Sequence, residues 1–332
     1  MSLAVDQYKH HKSIANQQRS SFKEKTQNIA EDELAIVMDF KENIKLGGGP
    51  IEYGSDFYTR QQCSVFGAAV FFQDQVSKQP KVEYFDFFSD ILSHDAFFVS
   101  GCLNRILLTF LDSSLGQSKI KKVHFWNDTG RHFQCGELAH FLLNFVPVEF
   151  NVQVTWNFFG EHHGKSVVDG HFGLLSRMLE DIEKQVHIDS IKTLIACLRK
   201  RFLEVSKIPS NNGGKVRFLF YDREEREKYI NTLHIKNLCD FHFLESFVNK
   251  DKKVIIRAKV FEKSSNYIDN LNVIFKKIQD KRKTKRGSEK TEEARGKKIN
   301  FGEKFFGVNV SSRYERQKKM IQSTIEESYQ VR

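Results

Sequence analysis

The sequence predicts an α/β fold: a mixed five-stranded sheet flanked by helices, followed by a small C-terminal β-rich module and a basic, partly helical tail. Three observations predict it. Apolar runs of strand length alternate with helix-periodic stretches in the order β-β-β-α-β-α-β-α. The 332 residues, 40% of them hydrophobic, suffice for roughly two domains with a real core. A turn-rich loop, Ser210 to Gly214 (SNNGG), separates that block from later strand-like runs. The expected segments are a helical N-terminal stretch over 1–32, the α/β domain over 33–208, the module over 209–263 and the tail over 264–332.

Each element has its own signal. Leu34 to Phe40 (LAIVMDF) is a continuous apolar run broken by one acid, as expected of a strand covered on both faces. Gln62 to Phe72 and Val82 to Phe88 are two further β-rich runs separated by a polar turn, which suggests a meander of three strands. Ser93 is the expected N-cap of a helix carrying Phe97, Cys102, Ile106 and Phe110, with Gly116 beyond its end. Ile120 to Trp126 reads as a fourth strand, Gly136 to Phe145 as a short helix and Phe150 to Phe159 as a fifth strand. Val168, Phe172, Leu175, Leu179, Ile182 and Val186 recur at helical spacing and predict an amphipathic helix. A further helix is expected over Ile188 to Val205, strands near Val216 to Tyr221 and Val254 to Phe261, and helices over Ser265 to about Lys277 and Arg313 to Tyr329.

Composition excludes several classes. No apolar run approaches the ~20 residues of a membrane helix, so no membrane partner is expected. Met1 to Lys12 contains no apolar h-region, and nothing there reads as a signal peptide. Five cysteines without CxxC spacing indicate neither a disulfide framework nor a cysteine zinc site, which fits a reducing compartment. The net charge of +10 favours polyanionic partners. Much of it sits between Lys276 and Lys298, where eleven Lys/Arg face four Asp/Glu. There Lys281, Arg282, Lys283, Lys285 and Arg286 suit nonspecific DNA binding or nuclear import, or simply a solvated arm.

Three acids share a destination in this layout: Asp39 inside the first strand, Asp128 just past the fourth, and Asp169 at the start of the helix after the fifth. If the first and fourth strands are neighbours, all three converge on one edge of the sheet. Carboxylates among apolar neighbours are costly unless a cation compensates them. Magnesium or manganese suits an oxygen-only donor set, and two such ions can clamp an in-line displacement at phosphorus. Blander roles remain open: Asp128, followed by Thr129 and Gly130, suits a turn, and Asp169 suits a helix N-terminus. Glu161, also just past the fifth strand, is the alternative third acid.

Two competing motifs overlap this region. Gly160 to Ser166 (GEHHGKS) lies where a phosphate-cradling loop belongs, but a Walker pattern needs glycine at the position of Phe159. His162, His163 and His171, with Glu161, match no standard zinc spacing. His163, Lys165 and Arg177 are better read as DNA phosphate contacts or, for the cations, a solvated helix face.

The ordered blocks Asp39-Phe40-Lys41-Glu42-Asn43, Trp126-Asn127-Asp128 followed by His132-Phe133, and His163-Gly164-Lys165 leading to Asp169-Gly170 and Gly173 resemble those of eukaryotic transposase-derived proteins with a ribonuclease-H-like DDE/DDD catalytic core. The likeness spans about Leu34 to Arg177. It implies a ribonuclease-H-like fold, with Asp39, Asp128 and Asp169 as catalytic metal ligands for two Mg²⁺ or Mn²⁺ ions. Cleavage and strand transfer of DNA, with transposon ends and target DNA as partners, a nuclear location and a homo-oligomer follow from the same likeness. It favours Asp169 over Glu161, because the Asp-Gly pair is the recurring element. Phe172 and Ser176 depart from the pattern, where a small and a basic residue are usual, and Phe172 is expected to narrow the DNA channel. No Cys/His zinc-finger spacing precedes the core, so a domesticated, catalytically inactive DNA-binding descendant is the alternative.

Overall fold

The computed structural model describes residues 2–50, 60–111, 119–160, 167–206, 215–222, 229–261, 263–264, 266–268, 271 and 273–279. A long helix α1 (Ser2–Gln27) leads into β1 (Glu33–Lys45), β2 (Gln62–Gln73) and β3 (Pro80–Ser89). Helix α2 (Ala96–Leu111) and β4 (Lys122–Asn127) follow. Helix α3 (Gly136–His140) widens into a π turn (Phe141–Phe145) and continues as α4 (Val146–Phe150). The π turn ends two residues before Pro147, which has no N–H to offer the helix ladder. Then come β5 (Gln153–Phe158), α5 (Val167–Glu183) and α6 (Ile191–Ser206). The chain continues through β6 (Lys215–Phe220), β7 (Tyr229–Ile235), β8 (Phe243–Val248), β9 (Val254–Lys259) and β10 (Val273–Gln279).

The fold is mixed α/β. One eight-stranded sheet runs β6-β3-β2-β1-β4-β5-β8-β9, and β7 pairs with β10 in a separate ribbon. The first three strands form an antiparallel meander, whereas β1, β4 and β5 are mutually parallel. Alternation along β1 distributes its side chains between two cores. Leu34, Ile36 and Met38 pack with Phe98, Cys102 and Leu103 of α2, while Val37 packs with Val168, Phe172 and Leu175 of α5. Burial on both faces explains why this strand is an apolar run rather than an alternating one.

Three expectations need correction. The strands at 215–220, 243–248 and 254–259 extend the main sheet instead of forming an appended module. The reason is edge protection: a five-strand sheet would end on β3 and β5, whose side chains are buried, so β6 and β8 cover those edges. The helix expected over Ser265 to Lys277 gives way to β10, whose Val273, Ile274 and Ile278 pair with β7, a tertiary contact that overrides local periodicity. The cap of α2 is Asp95 rather than Ser93: its Oδ1 accepts the Phe97 and Phe98 N–H groups at 3.0 and 3.1 Å. The expected α5 stripe is buried at Val168, Phe172, Leu175 and Ile182, whereas Val186 lies past the helix end and is exposed. Arg313 to Tyr329 falls outside the described residues.

Helix α1 is pinned to the sheet by a polar hook. Gln18, fully buried, donates from Nε2 to the Phe158 and His242 carbonyls at 2.9 Å each, and Phe22 packs edge-on against Trp126, Phe71 and Phe159. Replacing Gln18 by Ala removes a donor from both carbonyls, although the His242 carbonyl keeps the Phe158 N–H at 3.1 Å. The expected cost is about 2 kcal/mol, read as a lower urea midpoint with unchanged slope.

Candidate active site

The pairing of β1 with β4 runs from Glu33 opposite Lys122 to Val37 opposite Trp126. Two residues further along the same register stand Asp39, on β1, and Asp128, just past the end of β4. Both continue the face that carries Val37 and Trp126, the face covered by α5. Two carboxylates are thus brought together at the C-terminal edge of the parallel strands.

Each is held locally. The Asp39 carboxylate accepts the Phe40 N–H at 2.7 Å, and Asp128 Oδ1 accepts the Gly130 N–H at 2.9 Å in a tight turn. The turn has a buried footing: Trp156 donates from Nε1 to Asn127 Oδ1 at 2.7 Å, and the Asn127 amide donates to the Asp128 carbonyl at 2.6 Å. Burial first, and then the neighbouring Asp128 charge, push the Asp39 carboxyl up to about 7; the Phe40 N–H opposes this and Asp169 adds to it. The charge of Asp169 therefore reaches Asp39, although Asp169 itself is exposed in the first turn of α5.

Among the described residues, no group of three or more His, Cys, Asp or Glu side chains is arranged to hold a metal ion. The preformed part is the Asp39–Asp128 pair, with Asp169 at its rim. Its donors suit a hard divalent cation, since Mg²⁺ is commonly held by one or two carboxylates, with waters and substrate phosphates completing the shell. A cation would also relieve the repulsion that drives Asp39 toward its protonated form.

Glu161, His163 and Lys165 lie outside the described residues, as do Lys281, Arg282, Lys283, Lys285 and Arg286. Arg177 is exposed on α5, eight residues beyond Asp169, and its Nε donates to the Gly173 carbonyl at 3.4 Å. Phe172 does not line a channel. It is 7% exposed and lies over Gly67 of β2, where a Cβ would collide with its ring.

Two groups near the pair went unassigned in the sequence. Phe40 stacks on His94 at 4.1 Å and meets His132 edge-on at 5.3 Å. His94 Nε2 lies 3.1 Å from Asn43 Oδ1 and 3.2 Å from Ser64 Oγ. Burial holds both imidazoles below their ordinary pKa; His132 lowers His94 further, while Asp128 partly offsets the fall at His132. The other group is a buried pair, Asp86 and His171, whose Oδ2 and Nε2 lie 2.7 Å apart. Asp86 had the same signal as Asp39, an acid within an apolar aromatic strand.

The raised Asp39 pKa sets a pH signature of metal-free stability. Between 3.8 and about 7 the folded state keeps a proton that the unfolded state has lost, so this group makes stability fall as pH rises through that window. The buried histidines, with lowered pKa values, act in the opposite sense over part of the same range. The comparison is therefore Asp39→Asn against the parent chain in chelator. The variant is expected to be more stable by about 2–4 kcal/mol at pH 8 and equal near pH 4 in chemical denaturation.

The chain was compared with known proteins. No curated protein matches the sequence. Among solved structures, one described as the crystal structure of NurA bound to dAMP and manganese aligns with a TM-score of 0.16 and 10% identity. The alignment covers 71% of this chain and 48% of that one, so this chain spans about half the length of that protein. A likeness of that size carries no argument. The family described as "Domain of unknown function (DUF8701)" matches residues 18–257, a span that contains Asp39, Asp128, Asp169 and the whole eight-stranded sheet except the last residues of β9. By that match, the chain belongs to the DUF8701 family.

Proposed function

We propose that this protein is a transposase-like enzyme that cleaves and joins DNA strands by two-metal-ion phosphodiester chemistry at Asp39, Asp128 and Asp169. The observation that carries the reading is the electrostatic crowding of Asp39 by Asp128 and Asp169 at the edge of parallel strands. Supporting it is the strand order β3-β2-β1-β4-β5, antiparallel through the first three and parallel from β1 to β5, as expected of a ribonuclease-H-like core.

Bound Mg²⁺ or Mn²⁺ would supply charge neutralisation at phosphorus and acidification of the attacking hydroxyl. The chain's own residues have simpler tasks. Asp39 presents its carboxylate from β1 and Asp128 from the turn just past β4, and the Asn127–Trp156 hydrogen bond keeps that turn from rotating. Asp169 completes the set from α5. Arg177, with Lys165 and His163, would orient the DNA backbone, while the basic run around Lys281 to Arg286 would add sequence-independent attraction. A nuclear location and a multimeric assembly on DNA ends accompany this reading.

A second reading, a catalytically silent DNA-binding descendant, is favoured by one observation: among the described residues no three acids stand assembled as a metal group. Plasmid nicking and oligonucleotide strand transfer with Mg²⁺ or Mn²⁺ separate the two. Asp39→Ala and Asp128→Ala are each expected to lower cleavage more than ~100-fold, beyond the ~10–100-fold typical of outer-shell changes, with DNA binding retained. Equal nicking by parent and variants would reject the assignment. DNA binding without any metal-dependent nicking by the parent chain would establish the silent form.

A further inference from the structure

A second carboxylate lies on the same face of the sheet, two strands from Asp39. Gly67 of β2 is registered with Asp39 on one side and with Asp86 of β3 on the other. The space above that glycine is filled by Phe172, which walls Asp86 off from the Asp39–Asp128 pair.

Asp86 is 0% exposed. Its Oδ2 lies 2.7 Å from His171 Nε2, whereas its buried Oδ1 has no hydrogen-bond partner among the described residues. His171, itself buried, stacks on Tyr84 at 4.3 Å and 14°. Stability is a poor reason for this arrangement, because a well-packed apolar pair of the same shape can replace a buried hydrogen-bonded pair at little loss. Direction is a better one. The apolar contacts of Val168, Phe172 and Leu175 press α5 onto the sheet, but such contacts are non-directional. The hydrogen bond from His171 to Asp86 fixes one rotation and one height of the helix. Asp169 lies two residues before His171, in the first turn of the same helix.

We propose that Asp86 and His171 are positioning residues that pin the start of α5 to β3 and thereby set where Asp169 stands relative to Asp39 and Asp128. The proposal rests on Asp169 being the third acid.

The test uses the full chain and two readouts: binding of Mn²⁺ alone, followed by electron paramagnetic resonance, and kcat and KM for plasmid nicking. The double variant Asp86→Leu/His171→Phe removes the buried carboxyl together with its partner and is expected to keep the parent melting temperature. Its Mn²⁺ affinity and kcat should each fall about 10-fold or more, with KM for DNA nearly unchanged, the range seen when outer-shell partners are lost. His171→Gln retains an N–H donor for Asp86 and should stay within about 3-fold of the parent, unlike His171→Phe. Parent-like Mn²⁺ affinity and kcat in the double variant would overturn the proposal. So would equal losses in His171→Gln and His171→Phe, a comparison that decides the matter even if the double variant fails to fold. Asp169→Ala separates the two levels. If it abolishes nicking while the double variant is normal, only the positioning role falls; if it has no effect, both that role and the third-acid reading fall.

Discussion

The parallel pairing of β1 with β4 is the constraint on which the rest of this structure depends. It places two aspartates abreast where the parallel pairing ends, and there burial and the neighbouring Asp128 charge raise the cost of ionising Asp39. Much of the neighbouring structure serves to keep that arrangement in place. The Asp128 turn is tied through Asn127 to the buried Trp156 on β5, and Asp39 is held between the meander and α5. A site built on strand ends inherits the rigidity of the sheet, and binding a cation at a fixed distance requires that rigidity.

The sheet is apolar on both faces near its centre, yet its polar residues are not scattered. Gln18 reaches from α1 to two carbonyls at the β5 end of the sheet, and Asn43, Ser64 and His94 form a hydrogen-bonded cluster next to Phe40. These groups sit where the chain must be located accurately and where hydrophobic burial alone would not choose between neighbouring positions.

Asp39 and Asp86 show how one sequence signal leads to two outcomes. Both are acids embedded in strands of Val, Tyr, Phe and Met, and both face the helix layer across Gly67. Asp86 is hydrogen-bonded from within by His171 and sealed beneath Phe172. Among the described residues, the charged groups that act on Asp39 are two other acids, Asp128 and then Asp169. The first arrangement pairs one carboxylate oxygen, Oδ2, with His171. The second is left with its negative charges crowded together.

Strand and helix order through α6 was legible in the sequence because each of those elements carries its own periodicity or apolar run, and the apolar setting of Asp39 was visible for the same reason. The fates of the C-terminal strands were not. Whether residues 243–248 and 254–259 form a separate unit or extend the sheet depends on the unpaired edges of β3 and β5, which no local pattern encodes. Nor does Phe172 reveal locally that it will fold down onto Gly67 rather than project into a channel, since the decision belongs to a glycine more than a hundred positions away. The sequence by itself determined which segments fold as strands and helices through α6 and which acids lie among apolar neighbours, because both are properties of nearby residues. Only the tertiary structure decided which acids meet, which is paired with a histidine and which is left crowded by like charge, because those outcomes depend on strand order and register between distant parts of the chain.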